Sequence, residues 1–147
     1  MDVKSNKIRL NSDEIKLIAL FESMTKASVK DCIQGEDFMG FIVGEGDMGL
    51  AIGKKGSNVE RVRNSLGKPV FVVEYSETPE GMVKNLFHPV EIKRLTLGSG
   101  ENNTATILVS RNDRGKVIGP GGVKIRFAKA VLKRYWDVGN IMIKETA

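Results

Sequence analysis

Cysteine and histidine each occur once, as Cys32 and His88. One cysteine excludes an internal disulfide, and the two residues cannot supply the clustered ligands of a zinc site, so no metal is expected. No apolar run approaches the roughly 18 residues a membrane helix needs, and Met1-Asp2-Val3-Lys4-Ser5 lacks the basic stretch and apolar core of a signal peptide. The chain is therefore expected in the cytoplasm, away from membranes. Also missing is any set of side chains from which an acid–base pair, an activated nucleophile or a triad could be assembled. An enzyme, a cofactor and a small-molecule substrate are accordingly not expected.

What is present is ordinary globular composition: 147 residues, 41% hydrophobic and 28% charged, enough for one domain or two very small ones. The formal charge of +5 is unevenly placed. Residues 1–76 hold 11 Lys+Arg and 11 Asp+Glu, whereas residues 77–147 hold 12 and 7. The whole excess lies in the second half and favours a polyanionic partner without identifying it. Glycine is the other excess, at 16 residues. The glycines gather at 35–56, at 67 and at 98–122, between strand-like and helix-like segments, where glycine serves turns of positive φ or a backbone that a ligand approaches closely.

An internal repeat organises the chain. A shift of 66 residues lays Asp47-Met48-Gly49-Leu50-Ala51-Ile52-Gly53-Lys54-Lys55-Gly56 on Asp113-Arg114-Gly115-Lys116-Val117-Ile118-Gly119-Pro120-Gly121-Gly122, with Asp, Gly, Ile, Gly and Gly coincident. The same shift carries Phe41-Ile42-Val43 onto Ile107-Leu108-Val109, Val59 onto Ile125, Leu66 onto Leu132 and Ser12 onto Thr78. Each copy starts with a helix. Ser12 before Asp13-Glu14 predicts one over about 12–27, and Thr78 before Pro79-Glu80 predicts one over about 78–87 that His88-Pro89 stops. Two strands follow in each copy, Val29–Gln34 with Phe38–Val43 and Val90–Leu97 with Thr104–Ser110, the second pair joined by a polar loop over 98–103. A short helical turn, the Gly-rich tetrapeptide, a second helix and a closing strand (Val70–Glu74, Ile141–Lys144) complete each copy. The order is α-β-β-α-α-β, twice: an α+β fold of two three-stranded sheets covered by helices, divided into 1–76 and 77–147 by a connection at Ser76-Glu77 too short for independent tumbling.

The chemistry of the tetrapeptides can be read directly. Two glycines let a helix-loop-helix backbone lie against a phosphodiester chain, the next helix presents unpaired N–H groups to phosphate, and loop lysines add charge. Ala51-Ile52-Gly53-Lys54-Lys55-Gly56-Ser57-Asn58-Val59 and Val117-Ile118-Gly119-Pro120-Gly121-Gly122-Val123-Lys124-Ile125 resemble the Ile-Gly-x-x-Gly-x-x-Ile core of the K-homology (KH) domain, a module whose GxxG loop clamps about four nucleotides of a single strand. The helix-first order resembles the type II form. Two copies almost without a linker resemble the KH pair of the NusA family, and the length resembles its short archaeal members; the bacterial relatives add a polymerase-binding domain and an OB-fold domain, for which there is no room here. The resemblance spans about 12–147. It implies two tandem type II KH domains that bind single-stranded RNA, a nascent transcript, across a continuous basic surface in transcription termination or antitermination.

Carried onto this sequence, the resemblance points to Ile52, Gly53, Lys54, Lys55 and Gly56, supported by Arg61 and Arg63, and to Lys116, Ile118, Gly119, Pro120, Gly121, Gly122, Lys124 and Arg126. One departure stands out. The second loop has Pro120-Gly121 where the first has Lys54-Lys55, so it has no side-chain donor and, at Pro120, no N–H. Its charge must come from Lys116, Lys124, Arg126, Lys129, Lys133 and Arg134, with Arg111 and Arg114 ahead of it. Two alternatives remain: a KH scaffold whose basic face docks RNA polymerase or another acidic protein, and a ribosome-associated KH protein that binds structured RNA. Gly44-Glu45-Gly46-Asp47-Met48-Gly49 matches the dinucleotide fingerprint GxGxxG, but it would present two carboxylates to a pyrophosphate outside any β-α-β unit. Cys32, Tyr135 and Trp136 are expected in packing and His88 at a helix end.

Overall fold

The computed structural model describes residues 10–98 and 103–146. The chain divides between Ser76 and Glu77 into two compact units. Each runs helix, strand, strand, short helix, helix, strand.

In the first unit, helix α1 spans Ser12–Thr25, but its cap is Asn11 and not Ser12. Asn11 Oδ1 accepts from the Glu14 N–H at 2.8 Å, and the Asn11 N–H donates to Glu14 Oε1 at 3.1 Å. The reciprocal pair needs an acceptor three residues after the cap; counted from Asn11 that residue is Glu14, counted from Ser12 it is Ile15, which has none. The helix ends before residue 27 because Lys26 turns left-handed (φ 68°). Asn11→Ala removes the bond accepted by Asn11 Oδ1, leaving the backbone N–H to Glu14, and is expected to cost about 1 kcal/mol, read by urea denaturation.

Strand β1 (Val29–Gln34) pairs antiparallel with β2 (Met39–Val43), which pairs parallel with β3 (Val70–Glu74). Central β2 is buried at all five residues. The Phe21 ring of α1 stacks on Phe41 with centroids 4.3 Å apart. Cys32, Val43, Ala51, Val59, Val62 and Val70 complete the core around them. Helices α2 (Met48–Ile52) and α3 (Ser57–Leu66) meet at the first Gly-rich loop.

In the second unit, α4 spans Pro79–Phe87, with Thr78 Oγ1 accepting from the Gly81 N–H at 3.0 Å and proline in the first turn. His88 follows at its C-terminal end. Strand β4 covers only Arg94–Leu97, shorter than the Val90–Leu97 expected from sequence. Its partner β5 (Thr104–Val109) leaves the sheet after Val109 for a turn at Arg111–Asp113, so residues 90–92 have no strand to pair with. Ser110 falls outside β5 for the same reason. Of the connecting loop, residues 99–102 lie outside the described residues. Parallel β6 (Asn140–Glu145) completes the sheet. Ala105, Ile107 and Val109 alternate into a core with Met82, Val83 and Phe87 of α4 and with Phe127, Val131, Leu132 and Tyr135 of α6 (Val123–Trp136). Helix α5 (Arg114–Ile118) precedes α6, and the second Gly-rich loop lies between them. Among the described residues no helix is long and apolar enough to cross a membrane.

Candidate nucleic-acid interface

The two Gly-rich loops share one backbone. Gly53 and Gly119 stand at φ 77°, ψ 174° and φ 79°, ψ 165°; Lys55 and Gly121 at φ 55°, ψ 31° and φ 62°, ψ 13°; Gly56 and Gly122 at φ 76°, ψ 13° and φ 77°, ψ 12°. The first glycine is required twice over. Its combination of positive φ with extended ψ is open almost only to glycine, and a Cβ there would meet Asn58 N at 2.8 Å in the first loop and Lys124 Cβ at 2.7 Å in the second. The backbones agree although one loop carries Lys-Lys and the other Pro-Gly. Extended ψ at Gly119 is what a following proline demands, and Pro120 opens the short 3-10 turn that Lys54 opens in the first loop.

Around this frame the side chains differ. Lys54 and Lys55 are exposed and have no ion-pair partner among the described residues. Asn58, which sequence reading passed over, donates its Nδ2–H to the Leu50 carbonyl at 2.8 Å and ties the start of α3 to the end of α2. Leu50 beside it is 48% exposed, apolar where the repeat has Lys116. Ile52 and Ile118 are half-buried under the two loops, Val59 is buried and Ile125 half-buried. Arg61 and Arg63 are turned towards their own unit: Arg61 reaches the Met24 carbonyl at 3.5 Å, and Arg63 donates to the Val70 carbonyl at 3.3 Å and pairs with Glu60 at 3.4 Å. Arg63 lies about 10 Å along α3 from Gly56 at 1.5 Å per residue.

In the second unit, Arg111 and Arg114 both pair with Glu145, at 3.6 and 3.5 Å, and Arg114 also donates to the Ile143 carbonyl at 3.1 Å. Lys133 pairs with Asp137 at 2.9 Å. Around Gly119–Gly122 stand Lys116, paired with Asp113 at 3.6 Å, Lys124 and Arg126. Arg126 Nη1 donates to the Gly121 carbonyl at 2.8 Å.

Lys124 occupies the position that Asn58 holds in the first unit. Burial strips water from its ammonium and lowers its pKa below the usual lysine value. Only the folded state bears this cost. It is present while the unfolded chain is protonated and fades as pH rises through the lowered folded value towards the ordinary one. Lys124→Asn removes the desolvated charge and offers an amide to the Lys116 carbonyl, as Asn58 does to Leu50. Calorimetry at pH 7 is expected to show a melting temperature about 2–5 °C higher, the worth of one net hydrogen bond. No gain would mean that the two positions are not interchangeable.

The remaining motifs are structural. Asp47 Oδ2 accepts from the Ser28 N–H at 2.8 Å, so the Gly44–Gly49 stretch is a fastened connector. Cys32 and Tyr135 are buried, and Trp136 is half-buried at the end of α6, where it lines a cavity with Pro79 and Val138. Among the described residues no group of three or more His, Cys, Asp or Glu side chains converges as metal ligands.

Residues 17–94 match the protein family described as the KH domain. The chain is similar to two proteins named probable transcription termination protein NusA. That of Halobacterium salinarum is 35% identical over 92% of this chain and 98% of its own length. That of Methanococcus vannielii is 36% identical over 93% and 80%. The crystal structure of APE1850 superposes with a TM-score of 0.80 at 35% identity, covering 92% of this chain and all of that one.

Proposed function

Because the chain belongs to the archaeal NusA-like family of KH-domain proteins, we propose that it binds single-stranded RNA, a nascent transcript, through both Gly-rich loops and acts in transcription termination or antitermination. In this reading 1–76 and 77–147 are tandem type II KH domains and the protein works in the cytoplasm without a catalytic step. The observation that carries it is the shared loop backbone. Two loops of different sequence adopt the same glycine-dependent turn at the start of a helix, each flanked by half-buried isoleucine and by cations. A phosphodiester chain fits such a turn, because the positive end of the following helix faces it and the loop glycines add no side chain of their own.

Lys54 and Lys55 are the charges of the first loop, and Lys116, Lys124 and Arg126 those of the second. Ile52 and Ile118 would border the bases. Arg61 and Arg63 would reach RNA only by leaving the carbonyls they contact in the free protein. RNA polymerase would be a second partner.

The test is fluorescence anisotropy of a labelled single-stranded RNA about 12 nucleotides long, titrated at two salt concentrations beside a duplex of the same length. Salt-dependent binding with preference for the single strand is expected. Preference for the duplex would favour a structured-RNA binder, and no binding to several sequences would favour a protein scaffold.

A further inference from the structure

The second loop lacks a lysine, yet a cation is fixed on it. Arg126 lies four residues past Gly122, one helical turn into α6, and folds back so that Nη1 is 2.8 Å from the Gly121 carbonyl and 3.0 Å from where a Cβ on Gly122 would stand. The residue at the repeat-equivalent position is Glu60, which faces Arg63 instead. The two units therefore reverse the charge of this helix position, and the reversal tracks the loop sequence: Lys-Lys goes with glutamate, Pro-Gly with arginine.

Resting on the functional reading above, we propose that Arg126 is the phosphate-binding cation of the second loop, replacing the missing loop lysines from the following helix. A guanidinium has five N–H donors in a planar fork and keeps its charge at any physiological pH, so donating one to a carbonyl leaves it cationic. The hydrogen bond holds that charge over Gly121–Gly122, where a phosphate lying on the turn would arrive. A lysine on the loop would have to be ordered by the RNA; this guanidinium is held in place beforehand, and its geometry suits two oxygens of one phosphate. The acceptor is a backbone carbonyl, so the anchor does not depend on a side chain at position 121.

Arg126→Gln removes the charge and, its amide ending where the Arg126 Nε stands, the anchor to the Gly121 carbonyl with it, so the salt slope and not the affinity alone reads the role of the charge. Titrations with the 12-nucleotide RNA across a salt series compare wild type, Arg126→Gln and Arg126→Lys, each also in a Lys54→Pro/Lys55→Gly background that silences the first loop's charge. The expected result for Arg126→Gln is an affinity about three- to tenfold lower near 0.1 M salt, a plot of log K against log salt shallower by about 0.7, and partial recovery with lysine. An unchanged slope overturns the assignment, whether affinity holds or falls, since a role confined to loop structure changes no ion count. Absence of salt-dependent binding by the wild type overturns the RNA reading itself, and the assignment with it.

Discussion

Lys54→Pro/Lys55→Gly is expected to fold as the wild type does and to bind single-stranded RNA about ten- to a hundredfold more weakly near 0.1 M salt, with a salt slope shallower by about 1.4. The second loop is the warrant for the first half of that statement. Pro120-Gly121 occupies the same turn with matching dihedral angles, so the replacement is one this backbone already accommodates within the same chain. Gly53 has ψ 174°, extended as a residue before proline must be. Lys55 stands at φ 55°, a left-handed conformation that costs a non-glycine residue about 1 kcal/mol, which glycine avoids at the expense of a more flexible unfolded chain. The net effect on stability is therefore small, whereas two exposed charges disappear. Replacement by aspartate would lower affinity further, but it adds repulsion to the loss of attraction and cannot count the contacts. Anisotropy across a salt series, with far-ultraviolet circular dichroism as the folding control, reads both halves. Retained affinity with an unaltered slope would remove the first loop from the RNA interface.

The second large effect is on stability, and it ranks the two glycines of the loop. Gly53→Ala is expected to destabilise the first unit by about 3–5 kcal/mol, a large share of the roughly 5–15 kcal/mol that holds an ordinary domain together. At Gly53 the backbone lies in a region almost closed to other residues, worth about 1–3 kcal/mol of strain. A new methyl would also meet Asn58 at 2.7 Å from its side chain and 2.8 Å from its backbone nitrogen. The backbone atom cannot swing aside, so α3 must shift, and the Asn58 bond to Leu50 is strained with it. Gly56→Ala has only the left-handed conformation to bear, with nothing within 4 Å of the added carbon, and is expected to cost about 1–2 kcal/mol. Urea unfolding of the two variants gives the comparison. Equal losses would show that the close approach to Asn58 relaxes at little cost and that φ alone explains both glycines.

How far the sequence leads is clearest at the loops. The shared loop backbone was legible from Gly53, Gly56, Gly119 and Gly122 alone, because a positive φ is a demand on the residue itself and glycine in two equivalent positions states it directly. The start of α4 was legible for a similar reason: Thr78 and Pro79 act on neighbours within one turn. The cap of α1 was misplaced by one residue although the helix starts at Ser12 as expected, since Asn11 and Ser12 both suit a cap and only the reciprocal bond with Glu14 decides between them.

The destinations of the basic side chains could not be read that way. Counting charges placed Arg111 and Arg114 near the second loop, but parallel pairing sets Val109 beside Glu145, and the carboxylate that takes up both arginines comes from the last strand. Arg63 likewise turns to a carbonyl on β3, and Lys124 loses water to a burial that no local pattern announces. Local conformation follows from each residue's own steric limits and its nearest neighbours, so the sequence by itself determined the elements, the repeat and the glycine-dependent turns. Long charged side chains choose among partners that the sheet brings together from distant parts of the chain, so only the tertiary structure decided which cations stay at the loops and that Arg126 is fastened to one of them.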